Sequence, residues 1–339
     1  MAIWQVAAGD GTRDYADVFL RFGVILVGPG SAGDYFTNTD VYTNRTNKNY
    51  RDFIVTIAET IKIGDLIVLK RPYGLKWEIV AVGKVESDYE YQEVFSDVDG
   101  WDLQHCRRVR WKKPKELTII GGLRRGTLFN VNNNEAMKVI QEIWAKSEFI
   151  DTQDIPSLEK EISVDEVIDS LMEYGLPTNT AQDITNTIWK LRRIAQWYHR
   201  HGKDVGEHEI RTFLIVPLLT SLGFAEQKLK IEWKNVDIAI FDKVYEPESE
   251  PIVLIESKRL GDGLLYASNQ AEKYAKLFPS CCYFIVSDGI CYRLYEKVGN
   301  KWQFSSYMNL ISPKRRHPYY EEVKGAVDFF LSLIPTVKT

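Results

Sequence analysis

Asp237, Glu256 and Lys258 have the types and spacing for phosphodiester chemistry. Asp237 sits in the apolar run Asn235-Val236-Asp237-Ile238-Ala239-Ile240, and nineteen residues later Ile252-Val253-Leu254-Ile255 runs into Glu256-Ser257-Lys258. Side chains alternate along a strand, so Glu256 and Lys258 project from one side, with Ser257 opposite. Two carboxylates on neighbouring strands can hold a hard divalent cation, Mg²⁺ or Mn²⁺, that keeps several waters. Such an ion polarises a phosphoryl oxygen and lowers the pKa of a bound water. A lysine beside it orients that water or offsets charge developing on phosphorus. A Glu–Lys surface ion pair at a strand end is the plainer account of the same residues, and the elements around them have to separate the two.

From about Gly206 the pattern is mixed. It predicts a helix over Glu207–Leu222, strands at Val236–Phe241 and Ile252–Ser257, and a helix around Ala267–Leu277. Strands at Cys282–Ser287 and Cys291–Glu296 and a last helix over Tyr319–Leu333 complete an α/β core. Glu207 and Arg211, four apart, share a helix face, as do Gln270 and Tyr274. The order of Glu helix, Asp strand, Glu-x-Lys strand and Gln-x-x-x-Tyr helix resembles the PD-(D/E)XK nuclease superfamily. It is most similar to the nuclease domain of type I restriction subunits, whose helix carries Glu, Arg four later, then Ile-x-Pro-Leu-Leu and Leu-Gly. Here that stretch reads Glu207, Arg211, Ile215-Val216-Pro217-Leu218-Leu219 and Leu222-Gly223. The resemblance implies that Asp237 and Glu256 are metal ligands and Lys258 the catalytic lysine. It makes Glu207 the helix acid, with Glu209 as a rival, and Gln270 the motif glutamine supported by Tyr274. Val236 stands where the name-giving proline would be.

The first 127 residues read differently. Ile3–Val6, Val24–Val27, Leu66–Lys70, Glu78–Val85 and Val109–Trp111 are short β-branched or aromatic runs between Gly, Pro, Asp and Asn, the pattern of a small barrel or strongly bent sheet. Gly28-Pro29-Gly30-Ser31-Ala32-Gly33 matches a dinucleotide fingerprint, but a polar Asn- and Thr-rich stretch follows where a helix would have to start, so the glycines read as a turn. Between His105 and Arg125 lie eight basic residues, among them Arg107, Arg108, Arg110, Lys112 and Lys113, against one acid, Glu116. Such a stripe suits phosphate contacts or a solvated basic face. Most of the aromatics here belong in a core. Trp4, Phe22, Tyr73, Trp77 and Trp101 are the candidates for stacking on an extruded base.

The runs Ile3-Trp4-Gln5-Val6, Phe22-Gly23-Val24-Ile25, Ile61-Lys62-Ile63-Gly64-Asp65-Leu66 and Ile79-Val80-Ala81-Val82-Gly83 resemble the EVE group of PUA-like domains. In that family a Gly-Asp turn precedes a barrel strand and an aromatic near Phe22 helps form a modified-base pocket; a Trp is usual where Phe22 stands. The expected organisation is therefore an α/β multi-domain chain. A PUA-like β-barrel for modified-base recognition occupies 1–127, a helical connector 128–203, and a PD-(D/E)XK nuclease core 204–339. In the connector, Ser163-x-x-Glu166 has the form of a capping box.

Composition narrows the rest. With 339 residues, 45% apolar and 27% charged, the chain is an ordinary folded one of two or so domains. A net charge of −4 gives no blanket attraction to nucleic acid, so binding must rest on local patches. Cys106, Cys281, Cys282 and Cys291 form no C-x-x-C pair, which suits a reducing cytoplasm. No apolar run is long enough to span a membrane, no signal peptide is visible at Met1-Ala2-Ile3-Trp4, and no Walker-type loop is present to drive translocation. The expectation is a Mg²⁺-dependent, modification-dependent restriction endonuclease that flips a 5-substituted cytosine in double-stranded DNA and acts as a homodimer. The alternatives are a nucleic-acid-binding protein, RNA-directed or otherwise, that keeps a nuclease fold as scaffold, and a structure-specific repair or processing nuclease.

Overall fold

β-Branched runs interrupted by turn residues favour strands, and they become a curled sheet in the first half of the chain. The computed structural model describes residues 1–7, 9–44, 48–202 and 204–335. The chain divides into two units, Met1–Leu158 and Glu159–Thr339.

The first unit runs β1 (Ile3–Ala7), α1 (Ala16–Arg21), β2 (Val24–Val27), α2 (Thr39–Thr43), α3 (Lys48–Val55), β3 (Leu66–Tyr73), β4 (Lys76–Val85), β5 (Glu90–Tyr91), β6 (His105–Lys113), β7 (Thr118–Ile120), β8 (Leu128–Asn130), α4 (Asn134–Lys146) and β9 (Glu148–Phe149). Its sheet has the order β2-β6-β4-β3-β1-β8 and curls into a half-barrel, with β5, β7 and β9 paired alongside. β1 and β3 are parallel and every other pair named is antiparallel. Gly83 marks where β4 closes on β6: a Cβ there would lie 2.6 Å from Cε3 of the buried Trp111. After β2 no helix begins at the glycines. Gly28 and Gly30 instead pass so close to Asp102 and Gln104 that a side chain would collide with them, and the next helix is α2, at Thr39.

The second unit runs α5 (Val164–Glu173), α6 (Thr178–His201), α7 (Glu207–Ile210), a π-helical turn (Arg211–Ile215), α8 (Val216–Ser221), β10 (Leu229–Trp233), β11 (Val236–Phe241), β12 (Pro251–Ser257), α9 (Leu265–Ala275), β13 (Tyr283–Ser287), β14 (Cys291–Val298), β15 (Lys301–Asn309) and α10 (Ala326–Leu333). Its sheet follows chain order from β10 to β15. Only β12 and β13 are parallel, joined through α9. Ile188 and Leu191 of α6 and Leu214 and Leu218 share one core with Ile238, Ile255 and Ile285 of the sheet.

The middle stretch, 128–203, does not stand as a body of its own. α4 buries Ala136 and Ile140 against Ile3, Val68 and Val82 of the first unit, whereas α5 and α6 bury Val167, Leu171 and Ile188 in the core of the second. The Ser163 capping box is formed: Ser163 N–H donates to Glu166 Oε2 at 2.8 Å, and Glu166 N–H to Ser163 Oγ at 3.2 Å. The last helix is shorter than its spacing suggests and begins at Ala326. Lys324 is held by β15 instead, donating to Ser305 O at 3.0 Å and accepting from Tyr307 N–H at 2.9 Å. No helix among the described residues is long and apolar enough to cross a membrane.

Candidate active site

The acidic pair is set by strand register. Ile238 faces Ile255 across the β11–β12 ladder, so one step further on Asp237 faces Glu256 from the same side of the sheet. Ser257 N–H and Oγ–H both donate to Asp237 Oδ2, at 2.7 and 2.8 Å. Lys258 lies just beyond β12, and its N–H continues the parallel ladder to Ser287 O at 2.8 Å. Its ammonium turns back to donate to Glu256 Oε1 at 2.6 Å. The alternation expected from the sequence, with Glu256 and Lys258 on one side, is present in the structure.

The helical side brings a third acid. Burial pushes the Glu256 carboxyl above the usual range; Lys258 opposes this, and the charges of Asp237 and Glu207 add to it. The charge of Glu207 is thus felt at Glu256, whereas Glu209 accepts from the Tyr198 hydroxyl of α6 at 2.8 Å. Arg211 heads the π turn between α7 and α8, where Pro217 has no N–H to offer Phe213 and the helix widens. Its buried guanidinium donates from Nη1 to Asp237 Oδ1 at 3.1 Å. From Nη2 it reaches His208 Nδ1 at 2.7 Å and Glu232 Oε1 at 3.4 Å. Gln270 lies on the exposed side of α9, opposite the buried Ala267, Ser268, Ala271 and Ala275. Tyr274 packs half-buried on the core.

Asp237 and Glu256 offer hard oxygen donors that suit Mg²⁺ or Mn²⁺. A cation between them would relieve the repulsion that, together with burial, disfavours ionised Glu256. Among the described residues no group of three or more His, Cys, Asp and Glu side chains is placed to hold a metal ion. An ion here would take two protein carboxylates and otherwise water.

In the first unit a pocket of about 90 Å³ opens among Tyr15, Phe19, Phe53, Trp101, Leu26 and Asp10. Of the aromatic candidates, only Trp101 lines it. Arg13 stacks on its ring at 4.3 Å. Trp4 and Phe22 are core residues and not pocket walls: Trp4 is buried with Nε1–H donating to Asp65 Oδ2 at 3.1 Å, and Phe22 is buried 6.2 Å from Phe95. Trp77 is half-buried, donating to Leu123 O at 3.0 Å, and Tyr73 is exposed beside the β3–β4 turn. These aromatics do not converge on one pocket.

The basic stripe also divides. Arg107 is not available to phosphate: it is 2% exposed and donates to the carbonyls of Ile57, Ala58 and Ser87. Arg108 pairs with Glu90 at 3.2 Å. Lys112 donates to Trp144 O at 2.8 Å. Arg110, resting on the Phe149 ring at 4.0 Å, and Lys113 are exposed.

Residues 4–131, which span this pocket and stripe, match a protein family described only as a domain of unknown function (DUF8426). No curated protein matches the chain. Sequence spacing placed Arg211 on the face of Glu207 but did not show that it reaches Asp237. Ser257 was assigned to the opposite side and serves Asp237 through its backbone and hydroxyl at the strand end. Tyr15 and Phe19 are four apart at the start of α1, whereas Phe53 comes from α3, a meeting that no local pattern shows.

Proposed function

We propose that the chain is a modification-dependent DNA endonuclease, with a PD-(D/E)XK-like cutting site in the second unit and a PUA-like reading pocket in the first. One observation carries the reading: Asp237, Glu256 and Lys258 meet where β11 begins and β12 ends, with the charge of Glu207 felt at Glu256. A divalent cation bound there supplies Lewis acidity and a more acidic water. Lys258 Nζ, already at Glu256, is placed to orient that water or to meet a phosphate oxygen. Two copies acting together account for a double-strand cut, one strand each.

The pocket serves base reading. Trp101, Tyr15 and Phe19 provide aromatic walls. At about 90 Å³ it is smaller than the ~150 Å³ apolar cavity that takes up benzene, a size for the 5-substituent at the edge of a base and not for a whole ring. Arg110 and Lys113 supply phosphate contacts on the same unit.

A second reading is a DNA- or RNA-binding protein with a silent nuclease fold. It is favoured by the occupation of both Asp237 oxygens by protein donors and by the outward placement of Gln270. Digestion of matched unmodified, 5-methylcytosine and 5-hydroxymethylcytosine DNAs with Mg²⁺ separates the two. The nuclease reading expects one modified DNA to be cut and Lys258→Ala to be at least about a hundredfold slower. Equal cutting of all three DNAs removes the modified-base pocket. Binding without cutting, under every metal tried, leaves the scaffold.

A further inference from the structure

Asp237 is approached from two sides. Oδ2 carries both Ser257 donors, which are anchored in β12. An ion shared with Glu256 must therefore use Oδ1, and Arg211 Nη1 is there at 3.1 Å. The guanidinium has a second acid within reach, because Nη2 lies 3.4 Å from Glu232. Glu232 holds a φ of +54°, and the β10–β11 turn that follows carries Lys234 and Asn235 at +47° and +67°. A non-glycine residue adopts that left-handed conformation at a cost, and here it sits in the tight hairpin that brings the Glu232 carboxylate to Arg211. Arg211 Nε is buried with no hydrogen-bond partner. The guanidinium is thus bonded at two ends to different acids and incompletely satisfied between them.

We propose that Arg211 is the built-in counter-cation of the acidic site and competes with the divalent ion for Asp237 Oδ1. In the metal-free protein it offsets Asp237, leaving Lys258 to offset Glu256. On metal loading it gives up Asp237 and keeps Glu232, so that the site exchanges one cation for another and Arg211 remains at its rim as a free donor. The inference rests on the metal-dependent reading of the site given above.

Mn²⁺ binding to the full-length, metal-free protein tests it, followed by loss of the free-ion electron paramagnetic resonance signal. Arg211→Gln is expected to bind Mn²⁺ about tenfold more tightly, because a cation at contact distance has been removed from a largely buried site. Asp237→Asn is expected to lose that binding. Equal or weaker Mn²⁺ binding by a folded Arg211→Gln protein overturns the competition while the metal site stands. No Mn²⁺ binding by either the unchanged protein or Arg211→Gln overturns the metal reading and the competition together. Should Arg211→Gln fail to fold, the unchanged protein decides. Its Arg211 Nε–H resonance, assigned by comparison with Arg211→Lys, moves on Mg²⁺ addition if the guanidinium leaves Asp237. An unmoved resonance at saturating Mg²⁺ overturns the proposal.

Discussion

The Tyr198 hydroxyl donates to Glu209 Oε1 across 2.8 Å, tying the second acid of α7 to α6, while Glu207 raises the energy of ionised Glu256. Two positions apart on a helix is about 200° of rotation, so the two acids serve different neighbours. Glu207→Gln is expected to slow Mg²⁺-dependent cleavage by about tenfold or more. Glu209→Gln should leave cleavage within about twofold and lower stability by about 1 kcal/mol through the weakened Tyr198 bond. Paired cleavage assays and urea melts of the two variants check this. The opposite pattern would make Glu209 the helix acid.

Trp101 and Trp4 separate pocket from core. Trp101→Ala removes a wall of the pocket and should reduce the preference for modified over unmodified duplex by about tenfold, in line with roughly 1–3 kcal/mol per stacked base. Trp4→Phe loses the bond to Asp65 and should lower the melting temperature with the preference intact. Fluorescence anisotropy with short duplexes reads the preference. A Trp4→Phe protein that melts normally yet no longer discriminates would place base reading elsewhere.

Arg107 and the pair Arg110 and Lys113 should differ in kind. Truncating Arg107 strips three carbonyls of their donor and is expected to destabilise the first unit by about 3 kcal/mol, without altering the salt dependence of DNA binding. Arg110→Ala with Lys113→Ala should leave stability alone and reduce the slope of log affinity on log salt by up to about 2. An unchanged slope in the double variant would remove both residues from the DNA contact.

Lys70 adds a pH signature to the first unit. It is fully buried, its ammonium lies 3.7 Å over the Trp77 ring and donates to Arg124 O, and burial pulls its pKa down to about 8. The unfolded chain binds this proton up to about 10.4, so between these two values the unfolded state holds more protons and folding gains stability as pH rises. The melting temperature of the unchanged protein minus that of Lys70→Met should therefore increase from pH 7.5 to about 10. A flat difference would mean that Lys70 keeps its proton in the fold.

Local signals reached some of this architecture. Apolar runs placed β11 and β12, and strand alternation placed Glu256 beside Lys258, because both are decided within a few residues. The polar alternation of Lys301–Asn309 was not read as β15, whose Trp302 and Phe304 pack on the core only once β14 is beside them. Tyr319–Val323 has helical spacing, yet pairing of Lys324 with β15 prevails, a contact no window of sequence contains. The reach of Arg211 to Asp237 crosses 26 positions. The pocket draws on residues from Ala7 to Thr127. Aromatic content alone could not tell Trp101 from Trp4, since both are indoles in a β-rich stretch and only the folded chain buries Trp4 in β1 and leaves Trp101 lining a pocket from the loop before β6.

The π turn at Arg211–Ile215 makes the helix act as a phase adjuster. Each α-helical residue advances the face by about 100°, and the wide turn absorbs one extra position between the charged start and the apolar end. Closing that turn to α-helical geometry with all its residues kept would leave Leu218 and Leu219 seated in the core while swinging Glu207 roughly a quarter turn around the axis. Such a chain would still contain every acid and base named above, but Glu207 would be turned away from the acidic pair on the strands. The capacity of this strand end for chemistry is thus a matter of counting as well as of composition.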